Sequence, residues 1–244
     1  MSAIEEIYQR LLAGYGHQGW WPLLDCKGTN PTKTGSVRGY HPGDYSYPQT
    51  ERQRFEICVG AILTQNAAWP NAEKALLNLK SNGMLSPHAM QRAGDDTIKE
   101  YVRPAGYFNQ KAKKLRIFAA FYLSLRGVVP ARDGLLKVWG IGPETADSIL
   151  LYAYGIPEFV VDAYTRRILI SKNIIREQAT YGEIKALLER ELRKDYCIYQ
   201  ECHALLVEHA KRCYARSQYG EDALLKGLSS GEECTKKPRC HRYI

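Results

Sequence analysis

Asp162 is the residue around which chemistry can be built. It follows Val160-Val161 and precedes Ala163-Tyr164-Thr165-Arg166-Arg167, so it reads as the residue that opens a helix behind a buried approach. A carboxylate there caps free N–H groups, and the helix dipole keeps it ionised. Such a group can stabilise a cation developing on a bound molecule, or it can orient a water. About twenty residues upstream stands Gly140-Ile141-Gly142-Pro143-Glu144-Thr145-Ala146. Two glycines around one apolar residue make a tight turn with open backbone N–H groups. Pro143 suits the first position of the helix that follows, and the pair forms an anion site. Glu144 adds a second carboxylate. Trp20-Trp21-Pro22 offers two adjacent tryptophans that one helix face cannot bury together, either an anchor for the loop or the wall of a pocket.

The elements that must position these groups are helical. Ser2 and Glu5 form a capping box before the stripe Ile4, Ile7, Tyr8, Leu11 and Leu12. Residues 51 to 66 read as a helix ending at Gln65-Asn66, and Trp69-Pro70 opens the next, which stops at Gly83. Ser86-Pro87 starts a short helix, and 97–102 is another. Asn109 is the expected N-cap of a longer one carrying Ala112, Leu115, Ala119 and Tyr122 inward, with Lys111, Lys113 and Lys114 on a solvated basic face. After the glycine turn, a helix runs from Pro143 towards Gly155. Thr180 and Glu183 make another capping box, and Asp195 caps a long helix through His209. No period-2 alternation occurs, which predicts an all-α fold. Residues 15 to 50 show no period, and a loop of that length is expected to be functional or mobile.

The totals narrow the classes. A chain of 244 residues suits one large domain or two lobes, and a net charge of +8 with a pI near 9.0 favours a polyanionic partner. The anion at the glycine turn is then expected to be a DNA phosphate. No run of apolar residues is long enough for a membrane span. The N-terminus lacks the pattern of a signal peptide. Seven cysteines, an odd number, argue for a reducing compartment, so a cytoplasmic, nucleoid-associated location is expected.

A glycine hairpin followed by Val160-Val161-Asp162 resembles the helix-hairpin-helix (HhH-GPD) superfamily of DNA glycosylases. The endonuclease III-like members resemble it in order, and the 3-methyladenine DNA glycosylase III branch does so through most of residues 18 to 212. The segments that carry the likeness are Trp20-Trp21-Pro22, Phe55-Glu56, Gly60 to Asn66, Arg103 to Lys113, Gly140 to Asp147 and Val160 to Asp162.

The resemblance implies a two-lobed all-α fold with its site in the cleft. One lobe is a helical barrel over 46–156. The other combines 1–45 and 157–244. It also implies base excision from double-stranded DNA by a monomer that flips a damaged base. Asp162 would be catalytic, and Trp20, Trp21, Pro22, Trp69 and Glu144 would form the base pocket. Gln65, Asn66, Gly140, Ile141, Gly142, Pro143, Thr145 and Lys111 would contact DNA, with Gln65 filling the hole left by the flipped base.

In the lyase branch a hairpin lysine forms a Schiff base. Here that position is Glu144, which implies hydrolysis alone, and the likeness to the 3-methyladenine DNA glycosylase III branch implies alkylated purines such as 3-methyladenine as substrates. A supporting lysine late in the family pattern corresponds to Leu205. Cys213, Cys234 and Cys240 resemble the 4Fe–4S tail of endonuclease III, but twenty residues separate the first two and none follows Cys240. The expectation is therefore catalysis without a cofactor and no assigned metal. A bifunctional glycosylase/lyase and a non-catalytic DNA-binding protein are the alternatives.

Overall fold

The computed structural model describes residues 1–32, 36–214 and 222–228. Among them the regular elements are all helical, apart from an isolated antiparallel bridge between Thr29 and Arg38. None is long and apolar enough to cross a membrane.

Helix α1 (Ala3–Tyr15) begins where expected, with the Ser2 hydroxyl accepting from Glu5 N. It packs on α11 (Tyr196–Cys213) and α10 (Tyr181–Glu191) through Ile4, Ile7 and Leu11. Helix α2 (Glu51–Leu63) is buried along most of its length, and Thr50 and Gln53 close a full capping box at its start. Around α2 pack α3 (Trp69–Ser81), α6 (Phe108–Ser124), α8 (Pro143–Ser148) and the π turn Ile149–Ala153 that continues α8. The short helices α4 (Pro87–Arg92) and α5 (Asp95–Val102) lie against α6. Helix α7 (Arg132–Leu136) leads into the glycine hairpin, and α9 (Ala163–Ser171) follows Asp162.

Two expectations about α6 fail. Its N-cap is Tyr107, in left-handed conformation, so Asn109 lies within the first turn. Lys111 does not face solvent either. It is 2% exposed, and its ammonium donates to Leu63 O at 2.8 Å and Ala105 O at 2.7 Å. It therefore ties the last carbonyl of α2, where a cation is favoured, to the turn at Arg103–Ala105, and its burial leaves it no surface to offer DNA. Burial pulls its amine down to about 8. Lys114 is half-buried beneath the hairpin, which leaves Lys113 as the exposed lysine of the three, with its ammonium over the Trp139 ring at 4.6 Å.

Residues 16–32 and 36–48 form a strap with hydrogen bonds of its own. Its backbone pairs across itself through Leu23 N to Gly39 O, Asn30 N to Val37 O and His41 N to Gly19 O. Buried Glu201 of α11 holds it from below, accepting from Gln18 N at 2.7 Å and from the Tyr45 hydroxyl at 2.6 Å. The strap lays the Trp21 indole directly on α2 at Gly60, where a Cβ would stand 3.0 Å from Trp21 Nε1.

Glu56 of α2 also meets the strap, accepting from Leu24 N at 2.6 Å, and it is 1% exposed. Burial pushes its carboxyl up to about 7. A raised folded-state pKa favours folding fully below the unfolded value near 4.5, and that contribution is lost as pH rises through 7. The shift corresponds to about 3 kcal/mol. The melting-temperature advantage of Glu56→Gln over the wild type should therefore grow by roughly 5–10 °C between pH 4.5 and 8.5. Thermal unfolding of both proteins across that range checks it, and a constant difference would show that Glu56 does not titrate on folding.

Candidate active site

Asp162 caps α9, with Oδ1 accepting from Thr165 N at 2.7 Å. Its side chain is 15% exposed, and Oδ2 looks towards His203 Nε2 at 3.8 Å. The carboxylate thus has one oxygen fixed by the helix and the other free at a pocket of about 630 Å³, a size suited to a nucleobase.

Trp20, Trp21, Pro22, Asn66, Trp69, Glu144 and Asp162 all line this pocket. The indoles meet edge to face, Trp20 on Trp21 at 6.4 Å and Trp21 on Trp69 at 5.6 Å. Tyr152 of the π turn, 1% exposed, backs both Trp20 and Trp21. Glu144 is solvent-accessible yet enclosed by the cleft. That enclosure, together with the Asp162 charge, pushes its carboxyl up to about 7.

The hairpin lies beside the pocket. Gly140 has φ of 86°, and a Cβ there would stand 2.6 Å from Lys114 Cγ, so a glycine is required on both counts. Gly142 is the N-cap of α8 and offers no side chain, so no side chain caps the amides at that end. Gln65 does not line the pocket. Its amide donates to Gly140 O at 3.0 Å and Thr145 Oγ1 at 2.9 Å, and its oxygen accepts from Lys114 at 2.5 Å. It is a brace between α2, α6 and the hairpin. Asn66, exposed and with φ of 51°, is the polar side chain at the rim.

The strand of chain that delivers Asp162 is tied from several sides. Phe159 N donates to Glu189 Oε1 at 2.8 Å, and Val161 N lies 3.5 Å from the Tyr181 hydroxyl. Tyr181 donates in turn to Asp147 Oδ2 at 2.7 Å. Fully buried Asp147 also takes both nitrogens of a forked Arg132 contact, at 2.7 and 3.0 Å. Lys185 bridges Asp147, Glu158 and Glu189.

Three pocket residues come from α11: His203, Val207 and Lys211. Lys211 holds its ammonium over the Trp20 ring, 5.5 Å from the centroid, and burial lowers its pKa. The pocket lysine is therefore Lys211. Leu205 is fully buried in the core, on another face of the same helix. The spacing of 203, 207 and 211 at four-residue steps was the signal that could have found this face.

Of the three cysteines that carry the likeness, Cys213 lies among the described residues. Cys213 lies near His209 and Asp222, with one donor atom of each within 4.8 Å of the others. Burial opposes ionisation of Asp222, but hydrogen bonds from His209, Lys172, Tyr214 and Leu225 N hold its carboxyl well below the usual range. An ammonium 2.8 Å away already balances that charge, and the set docks residues 222–228 on the helices. Cys234 and Cys240 lie outside the described residues.

This architecture and this site define the class of protein. Residues 59–194 match the HhH-GPD superfamily of base excision DNA repair proteins, and the chain belongs to that family. A Methanocaldococcus jannaschii protein named as a DNA repair glycosylase is 40% identical over 220 residues, covering 86% of this chain and 87% of that one. Escherichia coli endonuclease III is 26% identical over 197 residues, covering 77% of this chain and 90% of its own. The solved structure of the H. pylori 3-methyladenine DNA glycosylase with bound 1,N6-ethenoadenine superposes with a TM-score of 0.63 at 24% identity, covering 86% and 98% of the two chains. A trapped endonuclease III–DNA intermediate superposes with a TM-score of 0.68 at 17% identity, covering 89% and 90%. Such neighbours have the two-lobed helix-hairpin-helix fold, and this chain shares it. The chain is a base excision repair DNA glycosylase.

Proposed function

We propose that the protein hydrolyses the N-glycosidic bond of a damaged base flipped from double-stranded DNA, acts as a monomer and leaves an abasic site. The observation that carries this reading is the convergence of Asp162, Glu144 and three indoles on one nucleobase-sized pocket beside the hairpin. Breaking the bond leaves positive charge on deoxyribose, and Asp162 Oδ2 is free to face it. Glu144, with its carboxyl near 7, can share a proton with the departing base. The backbone amides at the start of α8, which no side chain caps, take a phosphate, and Asn66 stands where an extruded base leaves a gap. No cofactor enters the reaction.

Alkylated purines suit the aromatic walls, as the ligand of the H. pylori enzyme illustrates for that protein. Lys211 refines the choice. Its ammonium already covers one face of Trp20, so a fixed positive charge on the base is disfavoured. Trp69 Nε1 is a buried donor without an acceptor among the described residues. The pocket therefore favours neutral lesions with acceptor atoms on their edges over cationic ones.

Lys211 also supports a second reading. Burial makes its amine easier to deprotonate, which is what a Schiff-base nucleophile requires. One experiment separates the two. Duplexes carrying a panel of alkylated, deaminated and oxidised bases are incubated with the enzyme, with and without borohydride. Release with an intact abasic strand and no adduct is the expected result. An adduct formed as fast as base release, and lost in Lys211→Met, would establish the glycosylase/lyase instead. No release from any member would leave only the DNA-binding alternative.

A further inference from the structure

His203 is the buried polar group at this pocket that the reaction above does not use. Its side chain is 6% exposed, and its Nε2 has no hydrogen-bond partner among the described residues. That unpartnered nitrogen points at Asp162 Oδ2 from 3.8 Å. The other ring nitrogen, Nδ1, lies 2.7 Å from the Tyr152 hydroxyl. Trp20 meets the imidazole edge to face at 5.8 Å, which fixes the plane of the ring.

Protonation follows from these contacts. The titratable groups around the imidazole are Asp162 from α9, Lys211 on its own helix and Tyr152 from the π turn. Burial lowers the pKa of His203, so the ring is neutral at pH 7 and carries one proton. Burial pushes the Tyr152 phenol well up, so it stays a donor. It has one proton and two acceptors in reach: His203 Nδ1 at 2.7 Å and Gln200 O at 3.2 Å. The shorter contact takes it. Nδ1 then accepts, and the ring proton sits on Nε2, facing the carboxylate. The opposite tautomer would set a bare lone pair against an anion in a buried site, which is unfavourable.

We propose that His203 is a positioning residue for Asp162, with its tautomer set by Tyr152. This rests on the reading of Asp162 as the catalytic carboxylate. The gap of 3.8 Å is too long for a hydrogen bond. It closes when the flipped nucleotide fills the pocket, as hydrogen bonds to catalytic groups tighten on substrate binding. Asp162 then receives Thr165 N on Oδ1 and His203 Nε2–H on Oδ2. The two donors fix the carboxylate plane and aim its remaining lone pairs at the sugar.

The test uses single-turnover base release on a duplex carrying the lesion the panel shows to be released, with DNA affinity and melting temperature measured alongside. His203→Phe keeps the aromatic packing against Trp20 and removes the donor. It should slow release about tenfold to a hundredfold, with affinity and melting temperature nearly unchanged. His203→Gln places an amide N–H near the position of Nε2 and should keep release within about threefold of wild type. Tyr152→Phe should slow wild-type release severalfold, and should cost nothing further in the His203→Gln background, because glutamine has no tautomer to set. Full activity in His203→Phe would overturn the proposal. So would His203→Gln as slow as His203→Phe, or a Tyr152→Phe cost equal in both backgrounds, which would make these residues packing only. Asp162→Asn is run beside them. If it releases base normally, the reading of Asp162 falls. If it does not, while His203→Phe does, the positioning role alone falls.

Discussion

Asp162→Asn is expected to lose about a thousandfold in base release while binding DNA as the wild type does. An ionised carboxylate about 4 Å from a developing cation is worth about 4 kcal/mol at an effective dielectric of about 20, and that free energy corresponds to about three decades in rate. The substitution isolates charge from structure. Asparagine is as good an N-cap as aspartate, and its side-chain oxygen can still accept from Thr165 N, as Oδ1 does at 2.7 Å. Helix α9 should therefore keep its start and the protein its melting temperature. Single-turnover release and a binding titration on the same duplex measure the two properties. Wild-type release by this variant would remove Asp162 from the mechanism.

Asp147→Ala is expected to cost stability on the scale of 3–5 kcal/mol, because it leaves Arg132, Lys185 and the Tyr181 hydroxyl without the acceptor they share. Melting temperature should fall by roughly 10 °C or more. A functional loss should accompany it, measurable well below the melting temperature. Tyr181 stands between Asp147 and Val161 N, one residue before Asp162. A network that holds the hairpin helix, α10 and the segment leading to Asp162 together cannot lose its central acceptor and keep the carboxylate in place. An Asp147→Ala protein as stable as the wild type would show that the neighbours re-pair without it.

How much of this was legible in the sequence depended on range. The cap at Asp162 and the hairpin were readable because caps, turns and helix starts are local, while the place of Glu144 beside Asp162 entered through the family resemblance. Their pocket partners Trp20, Trp21 and Trp69 entered through the family resemblance, since nothing local places 20 beside 162. The strap was unreadable for a related reason. Its order comes from backbone pairs such as Leu23 with Gly39, and from Glu201 far along the chain. Neither leaves a period. Lys111 misled because a lysine among lysines on a helix is ordinarily solvated, while here two carbonyls from other segments wait for it. Lys211 and His203 were missed although their helical phase was available, since phase identifies a face and not what that face meets. The Gln65 brace has no sequence signal at all, because a glutamine that fills a gap in DNA and one that bonds to Gly140 O look alike.

The π turn at Ile149–Ala153 makes the length of this helix part of its meaning. A π turn holds one residue more than the α turn it replaces, and one residue of an α-helix corresponds to about 100° of rotation. Loss of a single codon inside the turn could be absorbed by reversion to a straight helix, with its backbone hydrogen bonds intact. Every residue on one side of the deletion would then swing away from its former direction, and the Tyr152 phenol could no longer meet His203. A codon lost from the exposed connection at Val128 and Val129 would shorten a surface link and leave these directions alone. The gene thus has a place where the in-frame loss of one codon would yield a folded protein with a disconnected site.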